Sequence, residues 1–235
     1  MTFVLGINAF HADAAAALIR DGTIVAAVEE ERFRRIKHWA GFPELSIRWC
    51  LEEAGVKLRD VEHVAINSQP SAHRVRKLAY TLAKRPSLGF LAARWRNKRE
   101  RASLAGQLTA IFPNEDLISR LHFVEHHRAH LASAFYCSAF NKAAVISVDG
   151  FGDFASSAWG WGHGTSLDID GQIFFPHSLG AFYTAITQYL GFPSYGDEYK
   201  VMGLAPYGKP KRLEEMRKIV ILRSCLLYTS DAADE

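Results

Sequence analysis

The sequence is poor in sulfur and has no long apolar run. Its three cysteines (Cys50, Cys137, Cys225) follow neither a zinc-ligand spacing nor a disulfide framework, which points to a reduced compartment. No stretch approaches the roughly 20 consecutive apolar residues of a membrane-spanning helix. The opening MTFVLGINAF lacks the basic flank and extended apolar segment of a secretory signal, so the cytoplasm is the expected location. Acidic residues are scarce in one place: residues 74–101 hold ten Lys or Arg against a single Glu, a net +9 in a chain whose total is +3. The remainder therefore carries −6, and a nucleic-acid or membrane-surface patch is one reading of the imbalance. Aromatics interleave there (Tyr80, Phe90, Trp95), but Pro86 and Gly89 break the run and its apolar residues recur at helical spacing. That pattern favours an inserted pair of amphipathic helices with solvated basic faces, and neither a nucleic-acid nor a membrane partner is expected.

What is present has the composition of an ordinary globular domain, 49% hydrophobic and 23% charged, and 235 residues suffice for one large domain or two small ones. TFVLGINAF reads as a buried strand, and GTIVAAVEEE as another that opens after the turn at residues 20–22. FPELSIRWCLEEAG is a helix, with Pro43 at its start and Gly55 at its end. VEHVAIN and LHFVE read as further strands, HRAHLASAFYCSAF as a helix, and AAVISVDGFGDFASSAWGWG as strand, glycine turn and strand. Alternating strands and helices indicate an α/β domain with a mixed sheet. One pattern occurs twice, in residues 4–31 and 144–164: an apolar strand, a small-residue turn, then a second strand. Small residues at such a turn let backbone N–H groups approach a phosphate, although two unrelated hairpins would read the same way.

HFVEHHRAHLASAF (122–135) places four histidines within nine positions. On a helix His126 and His130 are four apart and share a face, where two imidazoles can bind one divalent metal. Histidines on an ordinary surface helix are the plainer reading of the same spacing. His127 lies to one side of that face and His122 precedes the helix, so neither is expected to be a ligand.

Four separated blocks carry a family resemblance: LGINAFHADAAAALIRDGTIVAAVEEERFRRIKHWAGFP, HHRAHLASAF, VISVDGFGD and EYKVMGLAPYG. In that order the chain resembles, over about residues 2–222, the N-terminal part of the O-carbamoyltransferases of the nodulation-protein and antibiotic-tailoring (NodU/CmcH) type. The resemblance implies a duplicated ribonuclease-H-like fold, that of the actin-like ATPases and of the universal tRNA threonylcarbamoylation protein, truncated in its second half. It implies a first half over residues 1–140 with a basic insertion at about 70–105, the start of a second half over 141–222, and a tail at 223–235 that is foreign to the family. In the family, a C-terminal YrdC-like domain makes carbamoyl-adenylate from carbamoyl phosphate and ATP, and the N-terminal domain passes the carbamoyl group to an acceptor hydroxyl. A threonylcarbamoyl-transfer or hydrogenase-maturation relative, or a non-catalytic actin-like ATP-binding module, are the competing readings.

The resemblance also implies site residues. It places metal ligands at His126, His130 and Asp149, a set that suits Fe(II), Mn(II) or Zn(II), with iron suggested by the family. His11, in the loop NAFHADA, is the expected proton acceptor, although a loop histidine that only hydrogen-bonds backbone or phosphate would read the same way, and Lys37 is the group that neutralises the adenylate phosphate. The family pattern after that histidine is Asp-Ser, whereas here Ala12, Asp13 and Ala14 follow, which leaves the role of Asp13 open. Asn8, His38, Gly150, Gly152, Lys200 and Gly203 are the expected nucleotide-side residues, with EYKVMGLAPYG a glycine loop that admits a phosphate. Within EEERFRRIKH, Glu31 and Arg32 are expected in internal ion pairs. Carbamoyl phosphate, ATP and a hydroxyl-bearing small molecule are the expected partners, and a homodimer is compatible with the sequence.

Overall fold

The computed structural model describes residues 1–84, 104–112, 118–223 and 226–229. The chain divides into two compact units, Met1–Val124 and Glu125–Glu235. In the first, β1 (Phe3–Asn8) alternates buried and half-buried residues, with Phe3, Leu5 and Ile7 inside, as expected of a strand covered mainly on one face. It pairs antiparallel with β2 (Ala15–Arg20), which pairs antiparallel with β3 (Thr23–Glu29). On its other edge β1 pairs in parallel with β4 (His63–Ile66), and β4 in parallel with β5 (Leu121–Phe123). The sheet order is thus β3-β2-β1-β4-β5, the mixed α/β sheet that the alternation of elements predicts.

One face of this sheet is covered by α2 (Glu44–Glu53), which brings Ile47, Cys50 and Leu51 onto Leu5, Leu18, Val64 and Ile66, and by α4 (Leu104–Ile111) through Leu108. Each fully buried aliphatic side chain contributes about 1.5–3 kcal/mol relative to exposure. Cys50 belongs to this core: its thiol donates to the Ala16 carbonyl at 3.6 Å, and burial pushes its pKa up to about 11, so it stays a protonated thiol.

Between β3 and α2 the chain makes the short helix α1 (Glu31–Arg34) and a loop. Glu30, just before α1, is fully buried. Its carboxylate accepts from the backbone N–H groups of Leu45 (3.3 Å) and Ser46 (2.8 Å), from the Ser46 hydroxyl (2.8 Å) and from Arg34 Nε (2.8 Å). It thereby caps a helix from a different segment of the chain, which offsets the cost of burying a charge. Of the charged run, Glu31 and Arg32 do make the expected contacts: Arg32 lies 4.0 Å from Glu31 and 3.5 Å from Glu29.

In the second unit β6 (Lys142–Gly152), β7 (Ala155–His163) and β8 (Ser166–Phe174) form an antiparallel meander. The histidine helix, α5 (His126–Tyr136), packs on these strands through Leu131 and Phe135 against Val145, Ala158 and Leu167. It therefore belongs with β6–β8, ahead of the expected division at residues 140/141. Downstream lie α6 (Leu179–Tyr189), α7 (Glu198–Leu204), α8 (Leu213–Ile219) and the antiparallel pair β9 (Val220–Arg223) and β10 (Leu226–Thr229). Of the segments singled out in the sequence, α3 (Arg74–Lys84) is a helix as expected. Residues 85–103, with Pro86, Gly89, Phe90 and Trp95, lie outside the described residues, as do residues 224–225 and 230–235 of the tail. No helix among the described residues is long and apolar enough to cross a membrane.

Glu30→Ala leaves Arg34 and the first turn of α2 without their acceptor in a buried setting. It is expected to lower stability by about 3–5 kcal/mol, read as a shift in the urea unfolding midpoint. Glu30→Gln, which keeps an acceptor, is expected to lose less. Equal stability of Glu30→Ala and the parent chain would contradict this account of the cap.

Candidate functional site

Two groups of polar side chains stand out, one in each unit. In the second unit, α5 starts at His126 with Glu125 as its N-cap, whose carboxylate accepts from the Arg128 N–H at 2.8 Å. The His126 N–H is held by Asp153 Oδ2 at 3.0 Å. Asp153 and Phe154 form the two-residue turn between β6 and β7, and both have positive φ (51° and 82°). This is the conformation of a hairpin turn matched to strand twist, and it is uncommon for a phenylalanine. Just before the turn the register slips: Val148 pairs with Ser157 and Gly152 with Ala155, so Asp149, Gly150 and Phe151 oppose Ser156 alone. A bulge of this kind re-aims the side chains it carries.

The bulge turns Asp149 toward α5. Its Oδ2 lies 2.8 Å from His126 Nε2 and 3.4 Å from His130 Nε2, and the two Nε2 atoms are 3.0 Å apart. These three are the one His/Cys/Asp/Glu group among the described residues whose geometry could hold a metal ion. Hydrogen bonds from His126 and then His130 hold the Asp149 carboxyl well below the usual carboxylate range, against the opposing effect of burial. The donor set fits a divalent metal. Three ligands on one octahedral face, with bonds of about 2.1 Å, stand about 3.0 Å from one another, and two imidazoles with one carboxylate is a known facial arrangement. The His126 side chain is 9% exposed, but His130 and Asp149 are 48% and 40% exposed, so one side of the cluster is open to a ligand.

The supports around the cluster are close. A Cβ on Gly152 would come 2.0 Å from His126 Cδ2, so only glycine leaves room for that imidazole. A Cβ on Gly150 would meet nothing within 4 Å. Ser178, the N-cap of α6, donates to the Gly150 carbonyl at 2.7 Å and accepts from the Ala181 N–H at 3.0 Å. Gly180, on the first turn of that helix, lies against the Asp149 backbone, where a Cβ would sit 2.6 Å away. His127 stands outside the cluster: it is fully buried, its Nδ1 lies 2.8 Å from Ser147 Oγ, and burial lowers its pKa. His122 pairs instead with His63, in the first unit, at 3.0 Å.

In the first unit, two loops close on each other. The N–H of Phe10 donates to Gly41 O at 3.2 Å and that of Ala14 to Trp39 O at 2.9 Å. Phe10, Asp13, Arg35 and His38 all have φ between 55° and 61°. Non-glycine residues in that region are strained and persist where their surroundings hold them. Asn8 donates to the Asp13 carbonyl at 2.9 Å and accepts from Asn67 at 3.1 Å, so it ties the loop to β4. Asp13, whose role the sequence leaves open, has Oδ1 2.9 Å from His38 Nδ1. The Arg34 guanidinium lies 4.5 Å from the centre of the Trp39 ring, and Trp39 fills the space a Cβ on Gly41 would need. His11 is half-buried with its Nε2 away from solvent, whereas Lys37 is exposed.

The remaining expected residues are placed differently. Lys200 Nζ is 2.7 Å from Asp197 Oδ1, a carboxylate that is itself buried. EYKVMGL is not a glycine loop but α7, and Gly203 lies within that helix with nothing near its missing side chain. Good helix formers before it outweigh the cost of about 1 kcal/mol for one glycine near a helix end. Sequence reasoning missed Glu30, Asp153 and Ser178. Only Ser178 announces itself, as a serine immediately before the apolar run LGAFYTAI.

The family of carbamoyltransferase N-termini matches residues 3–223. The chain is 43% identical over 222 residues to protein sll1178 of Synechocystis sp., covering 91% of this chain and 36% of that one. It is 42% identical over 206 residues to the nodulation protein NolNO of Sinorhizobium fredii, covering 86% of this chain and 29% of that one. The chain thus spans about a third of the length of these relatives. Among solved structures, YeaZ from Pseudomonas aeruginosa aligns at 17% identity and a TM-score of 0.39, over 75% of this chain and 68% of that one.

Gly152→Ala is expected to displace the His126 ring and weaken Zn²⁺ or Mn²⁺ binding about 10–100-fold, the range for lost support of a ligand. Gly150→Ala, at an open position, is expected to bind as the parent does. Isothermal titration checks both, and equal affinities for the two variants would separate the cluster from metal binding.

Proposed function

The chain belongs to the family of carbamoyltransferase N-termini, and on that premise we propose that it is the acceptor-side part of an O-carbamoyltransferase. The observation that carries the reading is the cluster of His126, His130 and Asp149, three converging donors open to solvent on one side, in a chain of this family. Each unit contains an antiparallel three-stranded meander, β1–β3 in the first and β6–β8 in the second, which supports a duplicated ribonuclease-H-like architecture. The proposed donor is carbamoyl-adenylate, made from carbamoyl phosphate and ATP, and the proposed acceptor is a hydroxyl on a small molecule such as a sugar, an aminoglycoside, a cephem or a polyketide.

A carbamate carbonyl is a poor electrophile because its nitrogen donates into it, so transfer needs a good leaving group and a stabilised oxyanion. The two histidines and Asp149 would hold a divalent metal, with Fe(II), Mn(II) or Zn(II) all compatible, and such an ion would supply Lewis-acid polarisation of the carbonyl. The chain's own residues then act on the acceptor. The acceptor oxygen bonds the carbonyl carbon, and the bond from that carbon to the adenylate oxygen breaks. AMP leaves with the electron pair, and the hydroxyl proton passes to His11. Asp13, at 2.9 Å, orients His38 toward the donor. Lys37, exposed at the crown of the same loops, meets the adenylate phosphate. Lys200, held by Asp197, keeps further N–H donors for a phosphate on the nucleotide side.

The test uses the complete protein, supplied with carbamoyl-adenylate and a panel of an aminoglycoside, a cephem and a sugar. Carbamoylated acceptor is detected by mass. His11→Ala is expected to lower kcat at least about a hundredfold with metal content unchanged, the usual contribution of a positioned acid–base group. Lys37→Ala is expected to raise KM for the adenylate, because its charge partner is present before and during transfer. If His11→Ala turns over within a few-fold of the parent, the base lies elsewhere.

A further inference from the structure

Helix α3 (Arg74–Lys84) is turned the opposite way from an ordinary surface helix. Val75, Leu78 and Leu82 are spaced three and four apart and share one face, and they are 81%, 61% and 68% exposed. Ala79 and Ala83, beside them, are exposed as well. The half-buried side of the helix carries polar groups instead: Lys77, Tyr80 and Thr81. Lys77 Nζ donates to the Pro70 carbonyl at 3.5 Å and Thr81 Oγ1 to the Lys77 carbonyl at 2.8 Å. Arg74 and Arg76, both exposed, flank the apolar stripe on either side. The helix bears Arg74, Arg76, Lys77 and Lys84 and no carboxylate.

Read from sequence alone, this segment is a solvated basic face. With the aliphatic stripe outermost, water is a poor neighbour for it, and charge selects among the partners that could cover it. Residues 85–101 of the same chain hold six Lys or Arg against one Glu, so that segment would bring like charge against the two arginines. The same helix of a second copy would do so too. A nucleic acid would satisfy the cations, but stacking on bases needs aromatic side chains, and the helix's one aromatic, Tyr80, sits on the half-buried side. An anionic lipid surface satisfies both halves of the pattern, since aliphatic groups enter the boundary between headgroups and acyl chains while arginines meet the phosphates.

We propose that α3 docks this protein on the surface of an anionic lipid bilayer, with Val75, Leu78 and Leu82 in the headgroup–acyl boundary and Arg74 and Arg76 on lipid phosphates. This is peripheral binding, it uses no spanning segment, and it does not depend on the carbamoyl-transfer reading.

The test is co-sedimentation of the full chain with vesicles of phosphatidylcholine alone and of phosphatidylcholine mixed with phosphatidylglycerol. The parent is expected to pellet with the anionic vesicles and not with the neutral ones, and to bind less as salt rises. The double variants Leu78→Ser/Leu82→Ser and Arg74→Glu/Arg76→Glu change only exposed positions, so circular dichroism is expected to stay that of the parent. Each is expected to lower the partition coefficient at least about tenfold. The proposal is overturned if the parent does not pellet with anionic vesicles, or if Leu78→Ser/Leu82→Ser pellets as the parent does. It is also overturned if a single-stranded oligonucleotide binds parent and leucine variant alike while vesicles bind neither, or if the leucine variant merely splits a dimer of the parent.

Discussion

The imidazole of His126 occupies the space that a side chain on Gly152 would need, and the second unit is arranged around that contact. A strand could not bring its backbone so near a helix if it carried a Cβ there. The close approach lets Asp153, one residue on, hold the first N–H of α5, and the bulge behind it swings Asp149 under both imidazoles. Ser178 and Gly180 then hold the backbone of Asp149 and Gly150 from the start of α6. The geometry of the three side chains is set by backbone packing as much as by the side chains themselves, and that is the kind of rigidity a metal centre requires.

The first unit solves a different problem. Its two loops carry four non-glycine residues at positive φ, a conformation that costs free energy at each position. Hydrogen bonds between the loops, the Arg34–Trp39 stack and the buried Glu30 restrain them. Asp13 and His38 are brought together by the same restraints, although twenty-five positions separate them in the chain. Strain held in place beside exposed polar groups is an arrangement suited to presenting side chains to a ligand.

Much of this was legible in the sequence, and the exceptions have physical causes. An apolar run marked β1 as a buried strand, and Pro43 with Gly55 marked both ends of α2. Ala15–Arg20 escaped as a separate strand because a run of alanines has little intrinsic β preference, and only its pairing between β1 and β3 makes it one. The His126–His130 face was readable from helical spacing, but the bulge that aims Asp149 was not, because register is set across strands rather than along one. Glu30 looked like one more carboxylate in a charged run. Its role depends on the first turn of α2, which the fold delivers and no local pattern announces. The opposite error occurred at EYKVMGL, where a glycine suggested a loop and ordinary helix propensity prevailed.

In the proposed function, His126, His130 and Asp149 form one metal centre. X-ray absorption at the metal edge of the loaded, complete protein tests it most directly. A first shell at about 2.0–2.2 Å with outer-shell scattering from two imidazoles, lost in His126→Ala, is the result this account predicts. A shell of oxygens alone, a thiolate shell near about 2.3 Å, or an unchanged spectrum in His126→Ala would contradict it.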